Sequence, residues 1–194
     1  MPEEYVGRKF DTIFISGERL DASVLEEFLR MGRVLNGLGY TPENAGNFSV
    51  RWNTGMLITV GGVNKGALGV DDIVEVVDFD FECAKVVGGK EPSSEAPMHW
   101  LIYHSFPQVK AIIHVHDDLA LGKAEWLSEV FGIHSTERES SYGTQDQAYQ
   151  VVDALEHNQY AIIRNHGIVC MGETLAECVD LISRVHDCLV KGIL

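Results

Sequence analysis

Positive charge is scarce in this sequence of 194 residues: 15 lysines and arginines stand against 29 acidic residues, for a formal net charge of −14. Such a field repels phosphodiester backbones and anionic membrane surfaces, so no nucleic-acid or membrane partner is expected. Any anionic ligand has to be captured by a local device. Long apolar runs are missing too, since none approaches the roughly 20 residues that cross a bilayer. The opening MPEEYVGRKFDTIF lacks the basic segment and apolar stretch of a signal peptide. The four cysteines, Cys83, Cys170, Cys178 and Cys188, show no CxxC spacing, which argues against a thiolate cluster or redox pair and for reduced thiols in a cytoplasmic protein. No repeat, low-complexity tract or linker divides the chain. Residues 1–194 are therefore read as a single domain, with 1–20 as an extended peripheral segment.

What is present is an ordinary globular balance, 45% hydrophobic and 23% charged, arranged in clear periods. A helix is expected from Ser23, where Glu26 completes a capping-box pattern, to Gly37 and Gly39, with Phe28, Met31, Leu35 and Leu38 at helical spacing. Short strands are expected over 48–51, 56–59, 73–77 and 83–87, separated by turn residues such as Asn53-Thr54-Gly55. A helix over 94–105 stops before Pro107, and 109–116 reads as a buried strand. A short helix near 119–130, a helix over 145–157, strands over 160–164 and 168–171, and a last helix opened by a Thr174/Glu177 capping box complete the chain. Helices mixed with a run of short strands favour an α/β class, in three α/β/α layers around a largely antiparallel sheet.

The sharpest local signal is Ala111-Ile112-Ile113-His114-Val115-His116-Asp117. Side chains two apart on a strand share a face, so His114 and His116 project side by side. Burying two imidazoles in an apolar strand is unfavourable unless they find partners. A shared divalent cation is one solution, and zinc suits imidazole nitrogen; hydrogen-bonded structural histidines are the other. A third ligand has a candidate in Arg164-Asn165-His166-Gly167, where a histidine sits between two apolar strands and a glycine permits a tight turn. Alone, that motif reads equally as a turn histidine meeting solvent. His99, His104, His134, His157 and His186 lack paired spacing and are taken as structural or solvated.

Upstream, Pro92-Ser93-Ser94-Glu95 reads by itself as a helix start, with serine as cap and glutamate favouring the dipole. Four motifs in order change that reading: Gly46-Asn47-Phe48-Ser49-Val50-Arg51, Pro92-Ser93-Ser94-Glu95, His114-Val115-His116 and Asn165-His166-Gly167. Together with Met56-Leu57-Ile58-Thr59 and Leu68-Gly69-Val70-Asp71, they make the chain resemble the class II aldolase/adducin family over roughly residues 24–190.

The resemblance implies a zinc site formed by His114, His116 and His166, with another divalent transition metal as an alternative, and Glu95 as the acid/base. It implies a substrate pocket lined by Asn47, Gly62, Ser93 and Ser94, and a homotetramer. The expected activity is aldol cleavage or formation of a small hydroxy-ketone, a sugar or sugar phosphate, through a metal-stabilised enediolate. A sugar-phosphate dehydratase or epimerase is the enzymatic alternative, and a metal-free adducin-like binding module the non-enzymatic one. The sequence departs from the pattern in three places. Val60-Gly61-Gly62 lacks the hydroxyl residue that sugar-phosphate members usually place before the glycine, a contact worth about 1.5–3 kcal/mol. Ser135 stands near the position where some family aldolases carry a proton-donating tyrosine. The chain stops at Leu194, without the longer tail that covers the site in some relatives, which leaves His134 and Tyr142 as candidates to replace a tail-borne acid.

Overall fold

In the computed structural model, residues 7–17, 20 and 22–192 are described, the side chains of 22–24 excepted. The Ser23 cap reading and the first six residues of the peripheral segment lie outside that set. Among the described residues, eight strands are formed: β1 (Asp11–Ser16), β2 (Asn47–Trp52), β3 (Gly55–Thr59), β4 (Ile73–Phe79), β5 (Cys83–Val87), β6 (Ala111–Val115), β7 (Tyr160–Ile163) and β8 (Gly167–Gly172). Six α-helices accompany them among the described residues: α1 (Ala22–Gly37), α2 (Ala96–Ser105), α3 (Asp118–Gly122), α4 (Ala124–Phe131), α5 (Gln145–Leu155) and α6 (Leu175–Lys191). The strands build one sheet in the order β1-β5-β4-β3-β2-β6-β8-β7. Every neighbouring pair is antiparallel except β1 with β5. The segment expected to be merely peripheral thus supplies an edge strand, where Ile13, Phe14 and Ile15 are exposed.

Side-chain alternation divides the interior into two cores. On β3, Met56 and Ile58 pack into one core with α2 and α5, while Leu57 packs into the other with α1, α3, α4 and α6. This period of two along the strands, against helical stripes on both sides, is what makes three layers. The single helix expected near 119–130 is broken at Lys123, and Asp117 caps α3 by accepting from the amides of Leu119 and Ala120. No helix among the described residues is long and apolar enough to cross a membrane.

Candidate active site

The alternation that builds the cores also sorts the polar residues. On β6, Ala111, Ile113 and Val115 face the α1/α6 core and Ile112 faces the α2/α5 core, so His114 lies on the α2 side. On β2, Phe48 faces α1, which leaves Asn47, Ser49 and Arg51 towards α2. The β2–β6 register sets Asn47 directly opposite His114, and β6–β8 sets Val169 on the other flank of His114. Helix α2 carries Glu95 at its N-cap, where the side chain makes no capping bond and turns instead towards the sheet.

His114, His116 and His166 each offer a ring nitrogen, and these atoms all lie within 4.8 Å of one another. His114 is fully buried; the other two are half-buried, so the cluster is reachable. His166 arrives on the β7–β8 turn, where its amide donates to the Ile163 carbonyl. The turn takes its positive φ at Asn165, +58°. Gly167 is needed for a different reason from the tight turn expected: a Cβ there would lie 2.5 Å from the Val115 carbonyl oxygen and 3.0–3.2 Å from the rings of His114 and His116. Gly46 serves likewise, its φ at +72° and an added Cβ only 2.8 Å from the His114 carbonyl oxygen.

The donor set fits a divalent cation. His114 Nδ1 lies 2.8 Å from the Ile168 carbonyl oxygen, so that nitrogen carries the proton and Nε2 presents its lone pair to the cluster. That Nε2 faces His166 Nε2 at 3.2 Å and Glu95 Oε2 at 3.1 Å. Two nitrogens each 2.0–2.1 Å from a tetrahedral zinc stand roughly 3.3 Å apart, close to this separation. Glu95 Oε1 is buried 3.2 Å from His166 Nε2. Electron-rich atoms gathered this closely require protons or a cation between them.

Electrostatics sharpen the picture. Burial pushes the Glu95 carboxyl up; with protons rather than a cation between the groups, His114 and His166 more than reverse this by charge and hydrogen bonds and hold it well below the usual carboxylate range. Burial, reinforced by His114 and His166, lowers His116 to about 4, which keeps its ring neutral and able to ligate at neutral pH. Lys65, only 1% exposed, is lowered by burial to about 8 against the opposing pull of Glu95 and Asp72; its ammonium donates to the carbonyls of Asn44 and Val63.

The four residues expected to line a substrate pocket divide into two groups. Ser93 and Ser94 are buried, and Gly61 lies against their backbone. Gly62 lines a cleft of about 360 Å³ with Arg8, Val63 and Lys90. The cations of that cleft are already paired, Arg8 with Glu91 and Lys90 with Asp72. Asn47 is elsewhere, its amide between Glu95 and His99: Nδ2 donates to Glu95 Oε2 at 2.7 Å, and Oδ1 lies 2.6 Å from His99 Nε2. Of the proton-donor candidates, His134 is exposed and the Tyr142 hydroxyl donates to the Gly7 carbonyl at 3.2 Å. His99, taken as structural, is buried and joined to Asn47 beside the cluster, a contact that sequence reasoning did not foresee. Its place four residues after Glu95, on the same helix face, is the signal that could have found it. Nothing local marks Lys65.

The family described as Class II Aldolase and Adducin N-terminal domain matches residues 26–189. A methylthioribulose-1-phosphate dehydratase of Pseudomonas savastanoi pv. phaseolicola (strain 1448A / Race 6) is 38% identical over 103 residues, 53% of this chain and 47% of that protein. The alignment thus spans about half the length of that relative. The dehydratase of the same name from Enterobacter sp. (strain 638) is 29% identical over 169 residues, 75% of this chain and 81% of that protein. Among solved structures, an L-fuculose 1-phosphate aldolase superposes with a TM-score of 0.76 at 26% identity, covering 88% of this chain and 85% of that one.

Proposed function

This chain belongs to the class II aldolase and adducin N-terminal domain family, and from that premise we propose that it is a metal-dependent lyase removing water from a ketose phosphate, with zinc held by His114, His116 and His166. The observation that carries the proposal is the buried Glu95 carboxylate lying 3.1 and 3.2 Å from two of three converging imidazoles. The relatives' printed activity moves the reading from the aldol cleavage expected of the sequence to dehydration. When bound, the divalent ion supplies Lewis-acid polarisation of the substrate carbonyl.

The chain's own residues supply the proton transfers. Glu95 takes the proton from the carbon beside the carbonyl. The C–H electron pair becomes a carbon–carbon double bond as the hydroxyl on the next carbon departs, and the same carboxyl returns the proton to that oxygen, so that water leaves. Gly62, Ser93 and Ser94 are proposed to receive the phosphate through main-chain amides and hydroxyls, which act locally in a protein of net charge −14. Asn47, proposed from the resemblance for the same pocket, is better supported as a partner of the carboxylate. The tetramer is part of this proposal and is tested by analytical ultracentrifugation.

A second reading, aldol cleavage, is favoured by the likeness to L-fuculose 1-phosphate aldolase. Mass spectrometry of zinc-reconstituted protein incubated with methylthioribulose 1-phosphate, and separately with L-fuculose 1-phosphate, separates the two. A product lighter by one water supports dehydration, and two carbon fragments support aldol cleavage. No turnover of either compound sinks both.

A further inference from the structure

The Gly46–Arg51 motif contributes more to the site than Asn47 alone. Asn47, Ser49 and Arg51 are alternate residues of β2, and Glu95, His99 and Tyr103 recur every fourth residue along α2, so two polar stripes meet inside an otherwise apolar sheet–helix interface. They are joined end to end. The Tyr103 hydroxyl is 2.9 Å from Ser49 Oγ, Ser49 Oγ is 2.7 Å from His99 Nδ1, His99 Nε2 is 2.6 Å from Asn47 Oδ1, and Asn47 Nδ2 is 2.7 Å from Glu95 Oε2. All five residues are buried. Arg51 anchors the far end: its guanidinium donates to the carbonyls of Tyr103, Phe106 and Val109 and lies 4.8 Å from the centre of the Tyr103 ring.

The polarity of the chain follows from its catalytic end. An ionised carboxylate only accepts, so the NH₂ of the Asn47 amide must face Glu95 and its oxygen must face His99. The oxygen requires a donor, so His99 carries its proton on Nε2. His99 Nδ1 then accepts from the Ser49 hydroxyl, whose oxygen accepts in turn from Tyr103. Burial holds the His99 ring neutral by lowering it to about 3, despite the opposing pull of Glu95. The ring proton and the carboxylate therefore hold the amide in the same orientation from its two ends.

We infer that His99 is a positioning residue for Glu95: its Nε2–H locks the Asn47 amide in the orientation that donates to Glu95 Oε2, aiming the carboxylate at the imidazole cluster. This rests on the reading of Glu95 as the acid/base. A rotated amide would turn its oxygen on the carboxylate and repel it from the cluster, so the effect falls on the chemical step rather than on substrate capture.

The test has two arms on the full-length, zinc-loaded protein. In ¹⁵N-resolved imidazole spectra at pH 7, His99 is expected as the Nε2–H tautomer; an Nδ1–H form or an imidazolium overturns the inference whatever the substrate proves to be. In kinetics on methylthioribulose 1-phosphate, His99→Leu is expected to lower kcat by roughly 10- to 100-fold, as loss of an outer partner typically does, with KM and zinc content unchanged. His99→Gln, which can still donate to Asn47, is expected to recover part of that loss and also covers the case in which the leucine variant does not fold. A kcat within about twofold of wild type in both variants, or a loss confined to KM, overturns the inference while leaving the acid/base reading intact. A fully active Glu95→Gln removes the acid/base reading itself.

Discussion

Gly167 shows how tightly a single atom is constrained beside the histidines. Its missing Cβ leaves room for the Val115 carbonyl and for two imidazoles, so Gly167→Ala is expected to destabilise the protein by about 1–3 kcal/mol, the usual range for overpacking. Urea unfolding measures that loss, and a competition titration should show weakened zinc binding in the same variant. Unchanged stability would mean that the β7–β8 turn yields more readily than its contacts imply. His166 reaches the cluster only through this turn, so His166→Ala should leave the fold intact and cut bound zinc well below one per chain, with activity falling at least 100-fold. Elemental analysis after dialysis reads this directly; full zinc occupancy in the variant would remove His166 from the ligand set.

At the scale of elements, the helix ends separate structural from functional use of the same residue types. Helix α6 begins as expected at Thr174, whose hydroxyl accepts from the Glu177 amide at 3.1 Å, but Glu177 returns its carboxylate to the amide of Glu173 rather than to that of Thr174. The reciprocal box expected there is displaced by one residue. Thr174→Ala is expected to cost about 1 kcal/mol, seen as a lower urea midpoint with kcat unchanged, because the helix is capped far along the chain from the proposed acid/base, Glu95. Helix α2 is the contrast. Glu95 occupies the N-cap without capping, and its carboxylate is held instead by Asn47 and the imidazoles. A cap position whose side chain bonds elsewhere is consistent with the acid/base role proposed for Glu95.

At the scale of the whole molecule, the interior carries histidines that resist protonation, and this sets the response to acid. His99 and His116 titrate at about 3 and about 4 in the folded protein, both below the ordinary 6.5. Between those limits the unfolded chain binds more protons, so stability present above about pH 6.5 is lost as pH falls, by roughly 1.4 kcal/mol per pH unit for each such histidine. Chelated wild-type protein should therefore unfold at progressively lower urea between pH 6.5 and 4, with a shallower slope in His99→Gln; equal slopes would mean that His99 is not buried neutral. Chelation at pH 7 should itself lower the thermal midpoint, and zinc should restore it, because a ligand bound only to the folded state stabilises it by mass action. Much of the fold was legible beforehand, since periods of two and of 3.6 residues are local properties of the chain: seven of the eight strands and the long helices follow from them, and so does the pairing of His114 with His116. The strand β1 was not legible, because its apolar residues are exposed and follow no alternation. Nor was the role of His99, whose meaning depends on a strand some fifty residues away in sequence. Sequence alone singled out Glu95 and the three histidines as candidates and set His114 and His116 on one face of a strand. Tertiary structure alone decided that Asn47 faces a carboxylate and that His166 meets His114, because register and layer packing bring together groups that no local period connects.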